Sequence, residues 1–362
     1  MSKTLAAVEE ESFSSNAKAQ VPPTDIVAYN ELRSCADLYR MYDQGILDIQ
    51  PEFQREVVWK SPAQTRFIDS LVKQLPIPSM CFAMDYDAQK WIVIDGLQRI
   101  STIIQFLKGG DWKLSTLDDI EQEISGKLAS EIMLAKGPLH RFYTRVQNLS
   151  IPITVLRCDF SKKSHMDYLF TIFHRLNTGG VKLNNQEIRN CIYGGALNSL
   201  LKHLDQNVKW RRVNKMKLHL SGRFAKQEII LRMFAFHDRL STYEGDLAGF
   251  LNDYMQDHRN PSEQFLRKRE ELFQKTIDCI ADEIFDGQSP SKLSVTVLEA
   301  LLVGVSKNLD VLPTVTKATI KQRYERLTDD PEFSDAALRE GLSKKPRVIS
   351  RLNTAIRIFA GK

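Results

Sequence analysis

The stretch that decides the fold reads Trp91-Ile-Val-Ile-Asp95-Gly96-Leu97-Gln98-Arg99-Ile100-Ser101-Thr102. Its first four residues are apolar and rich in β-branched side chains, which predicts a short strand. After Gly96 the apolar residues return at the spacing of one helical face, and Gly109 ends that pattern. The sequence therefore predicts a strand, a tight glycine turn and a helix.

This turn has features of a phosphate-binding site. The first N–H groups of a helix have no partner inside the helix, and Gly96 would let a ligand approach the backbone closely. Arg99 in the first helical turn opposes the helix dipole, which favours an anionic partner. The hydroxyls of Ser101 and Thr102 add polar groups, so we predict phosphate binding here. The alternative is that the glycine only turns the chain and its polar neighbours cap the helix.

Composition bounds the class of protein. The chain has 362 residues, of which 43% are hydrophobic and 26% charged, as in a soluble globular protein of one large or two ordinary domains. The net charge of +5 permits contact with nucleic acid but does not demonstrate it. The five cysteines are scattered without a C-x-x-C pair, which argues against a disulfide frame or a zinc knuckle. No apolar run reaches membrane-spanning length and no signal peptide is evident, so we expect a cytoplasmic protein without membrane contact.

The order of patterns predicts an α+β fold in three parts. Residues 1–24 are polar and are expected to form a disordered arm. Residues 25–195 mix strands and helices, and residues 196–362 show helical spacing only, as in a helical bundle. We therefore predict a domain with a small mixed sheet, followed by an all-α domain.

Four local predictions belong to the mixed domain. Residues 80–84 and 91–94 flank a turn and predict a hairpin, while Pro152 places the strand at 151–156 on an edge or at a strand start. A polar helix is expected around residues 117–124. Asn184 is expected to cap a helix, with Glu187 in the capping-box position.

A basic segment stands out between residues 209 and 226. It contains no acid, and its seven cations are Lys209, Arg211, Arg212, Lys215, Lys217, Arg223 and Lys226. This asymmetry suggests a surface for DNA or an acidic partner. The alternative is a solvated face balanced by acids elsewhere. No histidine has zinc-ligand spacing to another histidine or cysteine, so we predict no metal site made by the protein alone.

Four motifs in a fixed order resemble a known family. They are Phe53-Gln-Arg-x-x-x-Trp59, Ile68-Asp-Ser-Leu71 with Leu75-Pro-Ile-Pro78, Ile94-Asp-Gly-Leu-Gln-Arg-Ile-Ser-Thr-Ile103, and Phe173-x-Arg-Leu-Asn-Thr-Gly with Glu187-x-Arg189. In this order they resemble the GmrSD restriction endonuclease N-terminal domain family. The resemblance covers roughly residues 30–195. It implies a ParB/sulfiredoxin-like fold in a protein of bacterial defence against phage or modified DNA.

The resemblance also implies a nucleotide site. Family members carry D-G-Q-Q-R at the turn and are associated with hydrolysis of nucleoside triphosphates, with Mg²⁺ as the expected ion. Carried over by position, this implies roles for Asp95, Gly96, Gln98 and Arg99, and further contacts from Gln54 and Arg55. The polar end of the helix near residue 176 adds Asn177 as a further candidate ligand. Asp95, Arg99 and Arg55 would be the catalytic residues. From the residues alone, Arg55 could equally pack over Trp59.

Two departures from the family limit what the resemblance implies. Leu97 stands where glutamine is commoner, so binding is safer to predict than hydrolysis. Restriction members also carry an H-N-H nuclease domain, whose constellation is absent from the C-terminal sequence. We therefore expect a nucleotide-binding sensor or regulator, with a separate nuclease subunit as a partner. The alternatives are a DNA-binding or partner-binding scaffold without catalysis, and a ParB-like DNA nickase.

Overall fold

The computed structural model describes residues 23–49, 59–176, 183–214, 224–291, 293–334 and 342–362. The chain divides into two compact units, one spanning Val21–Val181 and another that includes Lys182–Lys362. Apart from its last two residues, the predicted arm at 1–24 lies outside the described residues. The domain boundary after residue 195 stays a prediction.

The first unit is built on one five-stranded mixed sheet, whose strand order is β1-β5-β3-β4-β2. The strands are β1 (Val27–Ser34), β2 (Leu47–Asp48), β3 (Met80–Asp85), β4 (Trp91–Asp95) and β5 (Ser150–Cys158). β3 and β4 form the predicted antiparallel hairpin. β5 lies between β1 and β3, antiparallel to the first and parallel to the second.

Helices cover this sheet and supply the rest of the core. They are α1 (Cys35–Asp43), α2 (Ser61–Val72), α3 (Leu97–Leu107), α4 (Ala129–Leu134), α5 (His140–Asn148) and α6 (Lys163–Leu176). The predicted apolar face of α3 is confirmed, because Ile100 and Ile103 are fully buried. Burying each such side chain contributes about 1.5–3 kcal/mol. The packed helix therefore holds the preceding glycine turn against β4.

One prediction for this unit is wrong, and another is decided between its two alternatives. Residues 117–124 form turns rather than a helix, because side chains satisfy the backbone there: Ser125 Oγ bonds both Leu117 N and Leu117 O, and Asp69 Oδ1 accepts from Glu121 N. Pro152 predicts either an edge or a strand start, and the second alternative holds: β5 is an interior strand with Pro152 near its beginning. Pairing with β3 begins only at Ile153, so Pro152 precedes the stretch that is paired on both sides.

All regular secondary structure among the described residues of the second unit is helical. Its α-helices are α7 (Asn185–Ile192), α8 (Ala196–Asp205), α9 (Val208–Val213), α10 (Ala225–Arg239), α11 (Leu247–Asp257), α12 (Glu263–Asp278), α13 (Val295–Ser306), α14 (Lys317–Asp329) and α15 (Lys345–Ala360). A π-helical turn, Cys279–Ile284, continues α12. Asn184 caps α7 in a full capping box with Glu187, as predicted. The α+β class is thus confirmed, and none of the described helices is long and apolar enough to cross a bilayer.

Candidate functional site

The predicted strand-turn-helix is present at Asp95. β4 ends at this residue, Gly96 adopts a left-handed φ of +94°, and α3 begins at Leu97. A Cβ on Gly96 would lie only 2.5 Å from Met80 Cγ. Both the backbone angle and the close approach of Met80 therefore require glycine at this turn.

The start of α3 is uncapped among the described residues. Gly96 has no side chain to cap the helix, and the first backbone bond of the helix runs from Ile100 N to Gly96 O over 2.9 Å. The N–H groups of Leu97, Gln98 and Arg99 precede that bond, and no described residue accepts from them. Such a helix start favours an anion.

Arg99 has partners of its own at this turn. Its guanidinium donates to Asp95 Oδ2 over 2.7 Å and to the carbonyl oxygens of Pro78 and Ser79. Its side chain is only 15% exposed, whereas that of Asp95 is 40% exposed. The position of a cation in the first helical turn therefore has a local explanation, because Asp95 and two carbonyls stabilise it without an external anion.

The other polar residues of the turn differ in their accessibility. Gln98 is half-buried, and its Oε1 accepts from Trp59 N over 3.3 Å. Thr102 is fully buried and donates to Gln98 O, so its hydroxyl stabilises the helix rather than facing a ligand. Ser101 Oγ is also buried, with no partner among the described residues. The geometry therefore does not support the predicted phosphate contacts of Ser101 and Thr102.

Three predicted ligand residues lie outside the described residues: Gln54, Arg55 and Asn177. Trp59, which follows the first two, packs edge-on against Phe67 with ring centroids 5.5 Å apart. The choice between Arg55 on Trp59 and Arg55 on an anion therefore stays open. Arg175 lies in the last turn of α6 and is exposed.

Cys81 is a buried thiol beside the turn and a poor candidate for a nucleophile. Cys81 pairs with Asp95 across β3 and β4. Burial, followed by the charge of Asp95, raises the pKa of Cys81 to about 12. A thiol in this state stays protonated at neutral pH and reacts poorly.

The basic segment is balanced by acids in space. Lys209 Nζ lies 2.5 Å from Asp278 Oδ1 and 2.6 Å from Asp282 Oδ2. Hydrogen bonds to these carboxylates raise the pKa of Lys209. The acids come from the end of α12 and the π-helical turn, about seventy residues later in the chain. Lys209 therefore has its negatively charged partners within the helical unit and does not require DNA to balance its charge.

Two further cations of this segment bind backbone oxygens. Arg211 donates to Asp205 O over 2.8 Å, and Arg212 donates over 2.8 Å to Gly287 O, just beyond the π-helical turn. Lys226 is half-buried at the start of α10. Lys215, Lys217 and Arg223 lie outside the described residues. The described cations thus fit a solvated, internally balanced face better than a surface for DNA.

A buried polar network in the helical unit was missed by the sequence analysis. Arg189 is fully buried; its Nε donates to Asn252 Oδ1 over 2.9 Å and its NH1 lies 3.8 Å from Glu228 Oε2. Arg232 binds Glu228 over 2.6 Å and Glu299 over 3.1 Å. The sequence contained a signal, because Arg232 interrupts the apolar run at residues 229–236 of α10 and Glu228 lies four residues before it. The network joins α7, α10, α11 and α13.

Two of the described histidines contact other protein side chains. Groups of three or more potential ligands are absent among the described residues. His237 Nδ1 lies 3.1 Å from Ser306 Oγ, and His258 stacks on Phe265 with ring centroids 4.4 Å apart. Both rings therefore have structural roles.

His237 should make stability depend on pH. Burial, followed by the charge of Lys307, lowers the pKa of His237 to about 4. In the unfolded chain the histidine pKa is about 6.5, so as the pH falls the unfolded state takes up the proton before the folded state does. The free energy of unfolding is therefore at its full value above about pH 6.5 and decreases as the pH drops towards 4. We expect a loss of about 1–2 kcal/mol, since the ring is partly exposed.

Denaturant unfolding between pH 7 and pH 4 measures this loss. His237→Asn should flatten the pH dependence, whereas His203→Asn, at a side chain that is 72% exposed, should leave it as in the wild type. Parallel curves for the wild type and His237→Asn would contradict the assignment.

Comparison with known proteins identifies one region. The family model of the GmrSD restriction endonuclease N-terminal domain matches residues 35–194. No curated protein and no solved structure matches the chain significantly. The match includes the Asp95–Arg99 turn, the β3–β4 hairpin and α7.

Proposed function

We propose, from the premise that residues 35–194 belong to the GmrSD restriction endonuclease N-terminal domain family, that this chain binds nucleotide within a restriction-type defence system. The observation that carries the proposal is the uncapped start of α3 beside the partly exposed carboxylate of Asp95. Backbone N–H groups at a helix start suit the oxygens of a phosphate. A carboxylate at the same turn suits the metal ion that accompanies a triphosphate.

The proposed mechanism uses the chain's own residues at that turn. The N–H groups of Leu97 and Gln98 would hold phosphate oxygens. Arg99 would exchange its bond to Asp95 for a bond to the same phosphates, since charge-assisted bonds to phosphate are strong. That exchange would release the Asp95 carboxylate to position Mg²⁺ or the attacking water. Arg55 would stabilise charge during transfer, and Gln54 and Asn177 would add contacts.

The residues at the turn fit Mg²⁺ only together with a nucleotide. Asp95 supplies one carboxylate, and no described group of three ligands surrounds it. Mg²⁺ in proteins commonly takes one or two carboxylates, with phosphate oxygens and water completing the octahedron. When bound, the ion would neutralise charge on the phosphates. We accordingly propose that the ion arrives with the triphosphate.

Leu97 favours nucleotide binding over nucleotide hydrolysis as the role of this site. Its side chain packs against the core of the first unit, among the partly buried apolar residues. An apolar group here cannot orient water as glutamine could. The cutting activity of the defence system would then reside in a separate nuclease subunit, for which this chain would act as the sensor.

Binding is tested by calorimetric titration with ATP and with GTP, each with and without Mg²⁺. Arg99→Ala should lower the affinity for nucleotide at least tenfold, because a charge-assisted hydrogen bond contributes about 1.5–3 kcal/mol. The matched control is Arg66→Ala, which removes an exposed ion pair between Arg66 on α2 and Asp119 in the turns that follow α3. The control should bind as the wild type does.

Unchanged affinity in Arg99→Ala would remove the proposed site. Release of inorganic phosphate, measured with the wild type and Asp95→Asn, separates hydrolysis from binding. A DNA affinity that falls steeply with salt and survives Arg99→Ala would instead favour the scaffold alternative. Nicking of supercoiled plasmid by the purified chain would favour the nickase.

A further inference from the structure

The first strand of the sheet has a long open edge. β1 covers Val27–Ser34 and lies at one end of the strand order, paired only with β5 among the described strands. Its apolar side chains are unusually accessible: Val27 is 50% exposed, Tyr29 37% and Leu32 71%. This edge is a candidate for pairing with another strand.

The ladder shows which backbone groups point outwards. Cys35 N donates to Leu149 O, and this pair continues the β1–β5 register, in which Ser34 faces Ser150. In an antiparallel ladder, only every second residue exchanges hydrogen bonds with its partner. Odd-numbered residues of β1 therefore bond β5. The N–H and C=O groups of the even-numbered residues, Ala28, Asn30 and Leu32, face the open edge.

Proline, lysine and bulges, which commonly protect an edge strand, are absent from β1. The sequence Val-Ala-Tyr-Asn-Glu-Leu-Arg-Ser contains neither proline nor lysine, and its register with β5 is continuous. Natural edge strands commonly use such residues, or bulges, to prevent pairing. The charged residues of β1, Glu31 and Arg33, carry opposite signs and bond each other.

We propose that two copies of this chain associate through antiparallel pairing of their β1 strands, with Leu32 opposite Leu32 of the second copy. This register pairs outward-facing residues with one another, as the alternation requires. It also places Glu31 of each copy opposite Arg33 of the other, on the face away from Leu32. Opposite charges directly across a strand pair are favourable, and like charges are not. A register centred on Glu31 would place two carboxylates together.

Both charged side chains can exchange partners on association. Glu31 and Arg33 are each 24% exposed, and Arg33 also lies 2.6 Å from Asp37. Each would keep an opposite charge, now from the second copy. The two leucines would bury apolar surface that the single chain leaves in water. This association does not depend on the nucleotide site.

A charge-swap experiment on the full chain tests the register. Glu31→Arg and Arg33→Glu should each be monomeric in sedimentation velocity, because each homodimer would oppose like charges twice. Mixed in equal amounts, they should restore a 1:1 heterodimer, whose two cross-strand pairs are again opposite in sign. The wild type should dimerise across a concentration series.

Leu32→Asp provides a second test that spares the fold. Its side chain is mostly in water, whereas Arg33 also lies over the ring of Trp91 at 4.9 Å. This variant should be folded by circular dichroism and monomeric. A wild type that stays monomeric, a dimer that survives Leu32→Asp, or folded charge variants that fail to form the heterodimer would each overturn the proposal.

Discussion

Replacing Arg189 with methionine will lower the stability of the helical unit by about 3–5 kcal/mol, the usual cost of breaking a buried ion pair from one side. Arg189 is fully buried, and burial lowers its pKa to about 10, so it remains charged at neutral pH. Its loss would leave two buried glutamates, Glu228 and Glu299, with Arg232 between them. Asn252 Oδ1 would also lose its donor.

Denaturant unfolding, followed by peptide-resolved hydrogen exchange, measures this loss in the helical unit separately. The matched control is Arg211→Met, which removes a side chain that is 50% exposed and 3.9 Å from Asp205. Exposed pairs of this kind contribute about 0–1 kcal/mol. If Arg189→Met cost no more than the control, the network would be replaceable by apolar packing.

Replacing Gly96 with alanine will destabilise the first unit by about 2–5 kcal/mol. A left-handed backbone costs a residue with a Cβ roughly 1–2 kcal/mol. The new Cβ would also overlap Met80, which is nearly fully buried, and overpacking of a core costs about 1–3 kcal/mol. Since Gly96 begins α3, nucleotide binding should weaken as well.

Gly137→Ala is a control with matched backbone geometry. Gly137 has φ +95°, against +94° at Gly96, but a Cβ there would meet nothing within 4 Å. The difference between the two variants in thermal or denaturant unfolding therefore measures the overlap with Met80. Equal losses would show that only the backbone angle requires glycine at Gly96.

The turn could be predicted from sequence because its information is local. A β-branched run, one glycine and a change of period fix a strand, a turn and a helix within twenty residues. The pairing of Arg99 with Asp95 and two carbonyls could not be predicted so easily, because Pro78 and Ser79 lie about twenty residues earlier. Whether a cation at a helix start indicates an anionic ligand therefore depends on neighbours that are distant in sequence.

Other features depended on distant partners. β1 carries polar residues on both faces, so its sequence lacks the alternation of polar and apolar residues that predicts a strand. Its strand conformation is instead fixed by pairing with β5. The basic segment contains no acid, yet Asp278 and Asp282 neutralise Lys209 from another helix. The local sequence therefore shows that the segment is basic, but it does not show the acidic residues that lie next to it in the fold.

The position of β5 has a consequence for the order of folding during synthesis. Asn30 on β1 meets Thr154 on β5, 124 residues further along the chain. At roughly 5–20 residues per second, a ribosome needs about 6–25 seconds to make that stretch. β3 and β4 can form their hairpin early, whereas β1 must wait for β5 to emerge. Nascent chains on neighbouring ribosomes of one message would therefore expose unpaired β1 strands together.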